Sequence, residues 1–292
     1  MKKALILVLI ILLSMTSVAL SQSLVVMATK IPGELPESPD SNLWGRVLPI
    51  GIPLTAQVMA IPRNYEPSVK EISLRALHNG KEVAFLMEWK DSTKDFMIDV
   101  DKFTDAAALQ FPSAEVKGKP HFAMGDKDAR VNIWHWKAMW QESPENEKVY
   151  ATVDDFLGGV LAQNPISIQK TPIENIIASG FGSATSISYD ESNIKGSGLY
   201  GSDTWRVVFK RAFKGHDKYD VTFSEGSLTP LAVAVWDGSN GERGGRKSVS
   251  TWYYVALETK ERMTIFIYPI MALLGAIGLE AGIIVGIRKR KG

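Results

Sequence analysis

Residues 71–91 read EISLRALHNGKEVAFLMEWKD, and this stretch decides the fold class. Two runs rich in β-prone and apolar residues flank Asn79–Gly80. An Asn-Gly pair between such runs specifies a hairpin, because both residues accept the positive φ of a tight turn. Comparable runs stand at LTAQVMAI (54–61), RVNIWHWKAMW (130–140), WRVVFKRAF (205–213), YDVTFSE (219–225), LAVAVWDG (231–238) and SVSTWYYVAL (248–257), with turn residues between them. Helical signals are confined to TDAAALQF (104–111) and VDDFLGGVLAQ (153–163). The balance predicts a mainly β chain, an antiparallel β-sandwich with few short helices. The proline-rich entry at residues 30–54 is expected to run over the surface, and Gly180 to Gly201, dense in Gly and Ser, to form a long loop.

The chain has 292 residues and a formal net charge of +1, so neither disorder nor a basic nucleic-acid-binding surface is indicated. Lys2 and Lys3, an apolar core from Ala4 to Leu13, and Ala19 and Ser21 before Gln22 have the order of a signal peptide over residues 1–21. Met263 to Ile287 is long and apolar enough to cross about 30 Å of hydrocarbon as a helix. The basic residues Arg288 to Lys291 would stay cytoplasmic, which puts residues 22–262 outside the membrane as an exported domain. Gly278, Gly282 and Gly286 share one face of that helix, where a membrane partner could pack. Glu280 fits a carboxyl near the inner interface, within reach of Arg288 or Lys289. The absence of cysteine excludes disulfides, thiolate zinc sites, iron–sulfur clusters and covalent c-type haem.

Hydrolase chemistry has no support: there is no G-x-S-x-G motif, and four histidines carry no triad signature. Asp154–Asp155 reads as a helix start. The glycine-rich stretch before Lys247 fails as a phosphate loop, since Arg246 separates Gly245 from Lys247 and a strand follows. His78 falls in the hairpin turn and His216 in a polar loop, so both are expected in solvent. Alternation puts Ile133, His135 and Lys137 on one face of their strand and Trp134 and Trp136 on the other, and His135 there reads as a structural histidine. Among the chain's methionines and lysines, Met124 stands in a turn just before an aromatic strand, with His121 as its competitor, and Lys247 just before another. Methionine is a soft neutral ligand for iron, and lysine ligates only as the free amine, which requires desolvation.

FAMGDKDARVNIWHWKA (122–138) and WDGSNGERGGRKSVSTWYYVAL (236–257) resemble the two signature segments of the b-type haem subunit of the ethylbenzene dehydrogenase and type II dimethyl sulfoxide reductase molybdoenzymes. VAFLMEWKDSTKD (83–95), FTDAAALQFP (103–112) and WRVVFKRAF (205–213) support the resemblance, which spans Leu54 to Leu257. It implies one haem b in a β-sandwich, with Met124 and Lys247 as axial ligands. Arg243 and Arg246 would pair with propionates, and Trp134, Trp136, Trp236 and Trp252 would wall the pocket. It further implies an electron-transfer subunit that performs no bond chemistry, partnered by an iron–sulfur subunit and a molybdenum catalytic subunit. The familiar members are soluble periplasmic subunits. An anchor at 263–287 therefore suggests a membrane-attached version, single-pass on the outer face of the cytoplasmic membrane, that links the complex to quinone or a membrane cytochrome. The alternative from a different class is an exported carbohydrate-binding-like sandwich without haem, with tryptophans stacking on sugar rings.

Overall fold

The computed structural model describes residues 24–59, 61, 63–97, 99–142 and 171–259. The expected signal peptide at 1–21, the anchor at 263–287 with its basic tail, and the helical candidate at 153–163 lie outside them. Among the described residues no helix is long and apolar enough to cross a membrane.

After β1 (Val25–Lys30), a 3-10 turn (Asn42–Arg46), β2 (Ile50–Pro53) and β3 (Thr55–Ala56), the chain forms the expected hairpin from β4 (Glu71–His78) and β5 (Glu82–Lys90). The two strands pair antiparallel from Ser73↔Glu88 to His78↔Val83. Gly80 takes φ +89°, and Asn79 Oδ1 accepts from the backbone N–H groups of Lys81 and Glu82 at 3.0 and 2.8 Å. Then come β6 (Ala106–Pro112), β7 (Val131–Lys137), a short helix α1 (Ala138–Glu142), β8 (Ile173–Ala178), β9 (Thr185–Ile187) and a one-turn helix α2 (Tyr189–Ser192). The chain continues through β10 (Gly198–Tyr200), β11 (Thr204–Ala212), β12 (Leu228–Trp236), β13 (Ser248–Val249) and β14 (Tyr253–Leu257).

The strands form one continuous, curled sheet in the order β10-β11-β5-β4-β1-β14-β12-β6-β7-β8-β9, with β2, β3 and β13 added at its margins. The curl arises at β12, whose Leu228–Leu231 pairs with β14 while Ala232–Trp236 pairs with β6. The two halves meet across an aromatic core. Phe85 of β5 lies 5.9 Å from Phe111 and 6.1 Å from Trp134, and Trp205 of β11 lies 4.9 Å from Trp136. Such rings bury large apolar areas, and their tilted and edge contacts add favourable quadrupole geometry.

Five expectations need correction. The sheet is not wholly antiparallel, because β1 runs parallel to both β4 and β14. TDAAALQF is not a helix. Its residues 106–111 lie in β6, which is buried on both faces, and pairing with β7 and β12 outweighs the helix propensity of its alanines. YDVTFSE is not a strand, although Val221 and Phe223 reach the core. The entry segment is only partly superficial, since Ile31, Leu35, Trp44 and Val47 pack on Leu77, Ala84, Leu86 and Val208. Gly180 to Gly201 is not a single loop but contains β9, α2 and β10.

Candidate functional site

On the outer face of the β12–β6–β7 half, small side chains make a flat apolar floor. Ala106 and Ala108 of β6 and Ala234 of β12 pack there with Ile133 of β7 and Trp236. Period-two alternation sends the intervening residues, Ala107, Leu109, Val233 and Val235, into the aromatic core. Two loops cover the floor. One joins β6 to β7 and carries Met124; the other leaves β12 and ends at Lys247, immediately before β13. Met124 and Lys247 line one cavity together with Gln110, Phe122, Ile133 and Trp236.

Met124 is held in the left-handed region at φ +66° and is followed by Gly125 at +74°. A non-glycine residue there costs on the order of 1–2 kcal/mol, and its surroundings impose it. Gly125 N–H donates to His121 O at 2.9 Å, Gly180 N–H donates to Met124 O at 2.8 Å, and the Gln110 amide donates to Phe122 O at 2.9 Å. The Trp252 indole N–H donates to Pro120 O at 3.0 Å and closes the far side. The competitor His121 is exposed. Its ring stacks on Phe122 at 4.9 Å and its Nδ1 accepts from the Ala123 N–H, so it does not line the cavity.

Lys247 is 8% exposed. Its Nζ stands 4.6 Å from the Trp236 ring centroid, and among the described residues it forms no hydrogen bond and no ion pair. Burial therefore lowers its pKa from 10.5 to about 8. The chain segment is fixed nonetheless, because Gln57 N–H donates to Lys247 O at 2.9 Å and Ser248 pairs with Ala56 of β3.

The other expected site residues divide. Trp252 and Trp236 pack in the same cluster as Met124. Arg243 is exposed, with its guanidinium 4.1 Å over the Phe103 ring. Arg246 Nε is buried without a hydrogen-bond partner. Trp134 and Trp136 are not at the cavity. They project from the opposite face of β7 into the core, fully buried, and their indole N–H groups donate to Asn132 and Gln141 at 3.1 and 3.0 Å. His78, expected in solvent, is also buried, with Nε2 2.9 Å from Glu258 O, whereas His216 is exposed as expected. A second cavity, about 180 Å³, adjoins the other side of Trp236 and is lined by Phe103, His135, Lys137 and Arg243. Sequence reading placed His135 and Lys137 on one face but missed their convergence with Arg243, because that depends on which strand lies beside β7. Glu174 of β8 faces His135 Nδ1 at 3.4 Å and Lys137 Nζ at 3.3 Å.

The donor set suits an iron porphyrin: a neutral thioether, a largely buried amine with no ion pair among the described residues, and an apolar floor of alanines. The cavity directly between the two loops is about 30 Å³, less than a macrocycle occupies, so binding requires the loops to stand further apart.

The model of the ethylbenzene dehydrogenase family matches residues 41–248, and the chain belongs to that family. Similar proteins include a respiratory nitrate reductase heme subunit of Haloferax mediterranei, 25% identical over 220 residues that span 75% of this chain and 67% of that one. The gamma subunit of chlorate reductase from Ideonella dechloratans is 26% identical over 185 residues, 63% of each chain. The gamma subunit of dimethylsulfide dehydrogenase from Rhodovulum sulfidophilum is 26% identical over 240 residues, 76% of each chain. Among solved structures, a family 9 carbohydrate-binding module from Caldicellulosiruptor kristjanssonii superposes at TM-score 0.43 with 8% identity, covering 81% of this chain and 97% of the module. A carbohydrate-binding protein from Bacteroides uniformis superposes at 0.45 with 10% identity, covering 80% and 99%. At such scores the likeness carries no reading of ligand.

Proposed function

We propose that this protein is an electron-transfer subunit that holds one haem b through Met124 and Lys247 and catalyses no bond chemistry itself. When bound, the haem supplies a one-electron ferric/ferrous couple. The observation that carries the reading is the buried Lys247 amine, which has no hydrogen-bond acceptor or counter-charge among the described residues and lines the same cavity as a methionine in a left-handed turn. Desolvation brings the amine towards the neutral, ligating form, and a methionine ligand favours ferrous iron. Arg243 and Lys137, at the cavity beyond Trp236, would supply cations for the haem's carboxylate substituents, Lys137 while also paired with Glu174, with Arg246 as a further donor.

The named relatives are subunits of reductases and a dehydrogenase. By that kinship the partners are an iron–sulfur subunit and a molybdenum catalytic subunit. Export through residues 1–21 and anchoring through 263–287 would set the domain on the outer face of the cytoplasmic membrane. A glycine face at Gly278, Gly282 and Gly286 would then be open to a membrane cytochrome or quinone-linked partner. The carbohydrate-binding alternative has less to stand on, since none of the 8 tryptophans is among the exposed hydrophobic residues and sugar stacking needs an open ring.

The test is the visible spectrum of the purified full chain, air-oxidised and then dithionite-reduced, with a pyridine haemochrome assay. One haem b per chain is expected, and Met124→Ala and Lys247→Ala should each shift or abolish the spectrum. Unchanged spectra in both variants would remove the ligand assignment, and a colourless protein that takes up no added haem would remove the cofactor.

A further inference from the structure

At one end of the sheet three strand termini meet. Asp91 follows β5, Asp105 precedes β6 and Asp237 follows β12. Their residues are 5%, 0% and 6% exposed, and one carboxyl oxygen from each lies within 4.8 Å of the others. No lysine or arginine forms an ion pair with any of them among the described residues. Three buried carboxylates at that spacing repel one another strongly and are stable only with added protons or a cation. Burial is the main cause that raises Asp91 to about 6 and Asp105 to about 8, each with further repulsion from a neighbouring aspartate.

The hydrogen bonds are arranged to aim these groups rather than to exhaust them. Asp91 Oδ1 accepts from the Thr93 N–H and hydroxyl at 3.1 and 3.3 Å, while Oδ2 is buried and, like the Trp89 indole N–H that acts on the same carboxyl, forms no hydrogen bond of normal geometry among the described residues. Asp105 Oδ2 accepts from Asp95 N–H and the Trp205 indole at 2.7 and 2.9 Å, and Oδ1 from Gly238 N–H at 2.9 Å. Asp237 Oδ1 accepts from the Ser239 hydroxyl and the Asn240 N–H at 2.7 and 3.2 Å. Gly238 is sterically required here, because a Cβ would stand 1.9 Å from Phe103 O. Each carboxyl is thus held by groups outside the trio, and one buried carboxylate oxygen of the three, Asp91 Oδ2, is left without a hydrogen bond among the described residues.

We propose that Asp91, Asp105 and Asp237 bind one hard divalent cation, calcium or magnesium, that ties together the ends of β5, β6 and β12. An all-carboxylate donor set without imidazole or thiolate favours those ions over zinc or copper. The ion would also fix Asp237, the first residue of the loop that ends at Lys247, although the site is independent of the haem reading.

The experiment uses the full-length protein as isolated. Elemental analysis should find close to one equivalent of calcium or magnesium per chain. After EGTA and EDTA dialysis, melting should fall by several degrees and be restored by CaCl2 or MgCl2, titrated separately by calorimetry to identify the ion. Asp91→Asn and Asp105→Asn should weaken uptake at least tenfold. The proposal is overturned if wild-type protein takes up neither ion at millimolar concentration, or if uptake is unchanged in both variants. Should the variants fail to fold, the wild-type titration decides alone.

Discussion

At the scale of single residues, the fold sustains two locally unfavourable features at Met124 and Lys247. A buried amine with no hydrogen bond or ion pair among the described residues destabilises the domain, since its contact with the Trp236 ring offsets only part of the desolvation of the charge. Lys247→Met keeps the length of the side chain and removes the charge. The haem-free variant should therefore be more stable than haem-free wild type by about 1–3 kcal/mol in urea unfolding, while its haem spectrum is altered or lost. A lysine whose charge costs the fold nothing would leave stability unchanged. Gly125 tests the other donor. Its φ of +74° and a Cβ that would stand 2.6 Å from Ala129 O make Gly125→Ala a strained change, worth roughly 1–2 kcal/mol. Haem content measured by absorbance should fall with it, because the turn that holds Met124 must shift. Met124 and Lys247 stand out in the sequence through the resemblance of their two segments to the family's signatures, since composition and spacing do not separate them from the chain's other methionines and lysines. That Lys247 is buried, with no ion pair among the described residues, could not be read there, because burial depends on β3, β12 and β13 converging from distant parts of the chain.

At the scale of elements, the β4–β5 hairpin was legible because its turn and its two patterns lie within 21 residues, 71–91. β6 was not, because its alanines favour a helix locally and become strand only between β7 and β12. The same neighbour problem hides the His135–Glu174 pair, directly opposed in the β7–β8 register. Burial is the main cause that holds His135 near a pKa of about 4. Glu174 is held near about 2: burial opposes this, and hydrogen bonding to His135 and the charge of Lys137 outweigh it. The folded state thus binds fewer protons than the unfolded state at both sites. Their contribution is present above the unfolded values, near 6.5 and 4.5. It is lost as pH falls from about 6.5 towards 4 for the histidine, and from about 4.5 towards 2 for the glutamate. Comparing wild type with His135→Gln by urea unfolding at pH 7, 5.5 and 4 isolates the first component. The wild type should lose more stability than the variant over that span.

At the scale of the whole molecule, what local pattern could not reveal is how the two halves of the sheet are joined. β1, the first described strand, lies parallel between β4 and the last one, β14, and no hairpin delivers it there. Parallel neighbours need long connections, and such distant pairing leaves no local signature. The register pairs Ala28 with both Ala76 and Leu257, so β1 alone bridges β4 to β14. Along β1, Val26 and Ala28 are buried and Met27 is 52% exposed. Ala28→Asp would put an unpaired charge into the seam and should cost about 3 kcal/mol or more. It would also free two strand edges, which promote association. Met27→Asp, one residue away on the open face, should stay within about 0.5 kcal/mol of wild type. Urea unfolding with light scattering measures both. A large loss with aggregation for Ala28→Asp alone supports joining of the halves through β1, and equal effects at the two positions would mean that the sheet holds together without it.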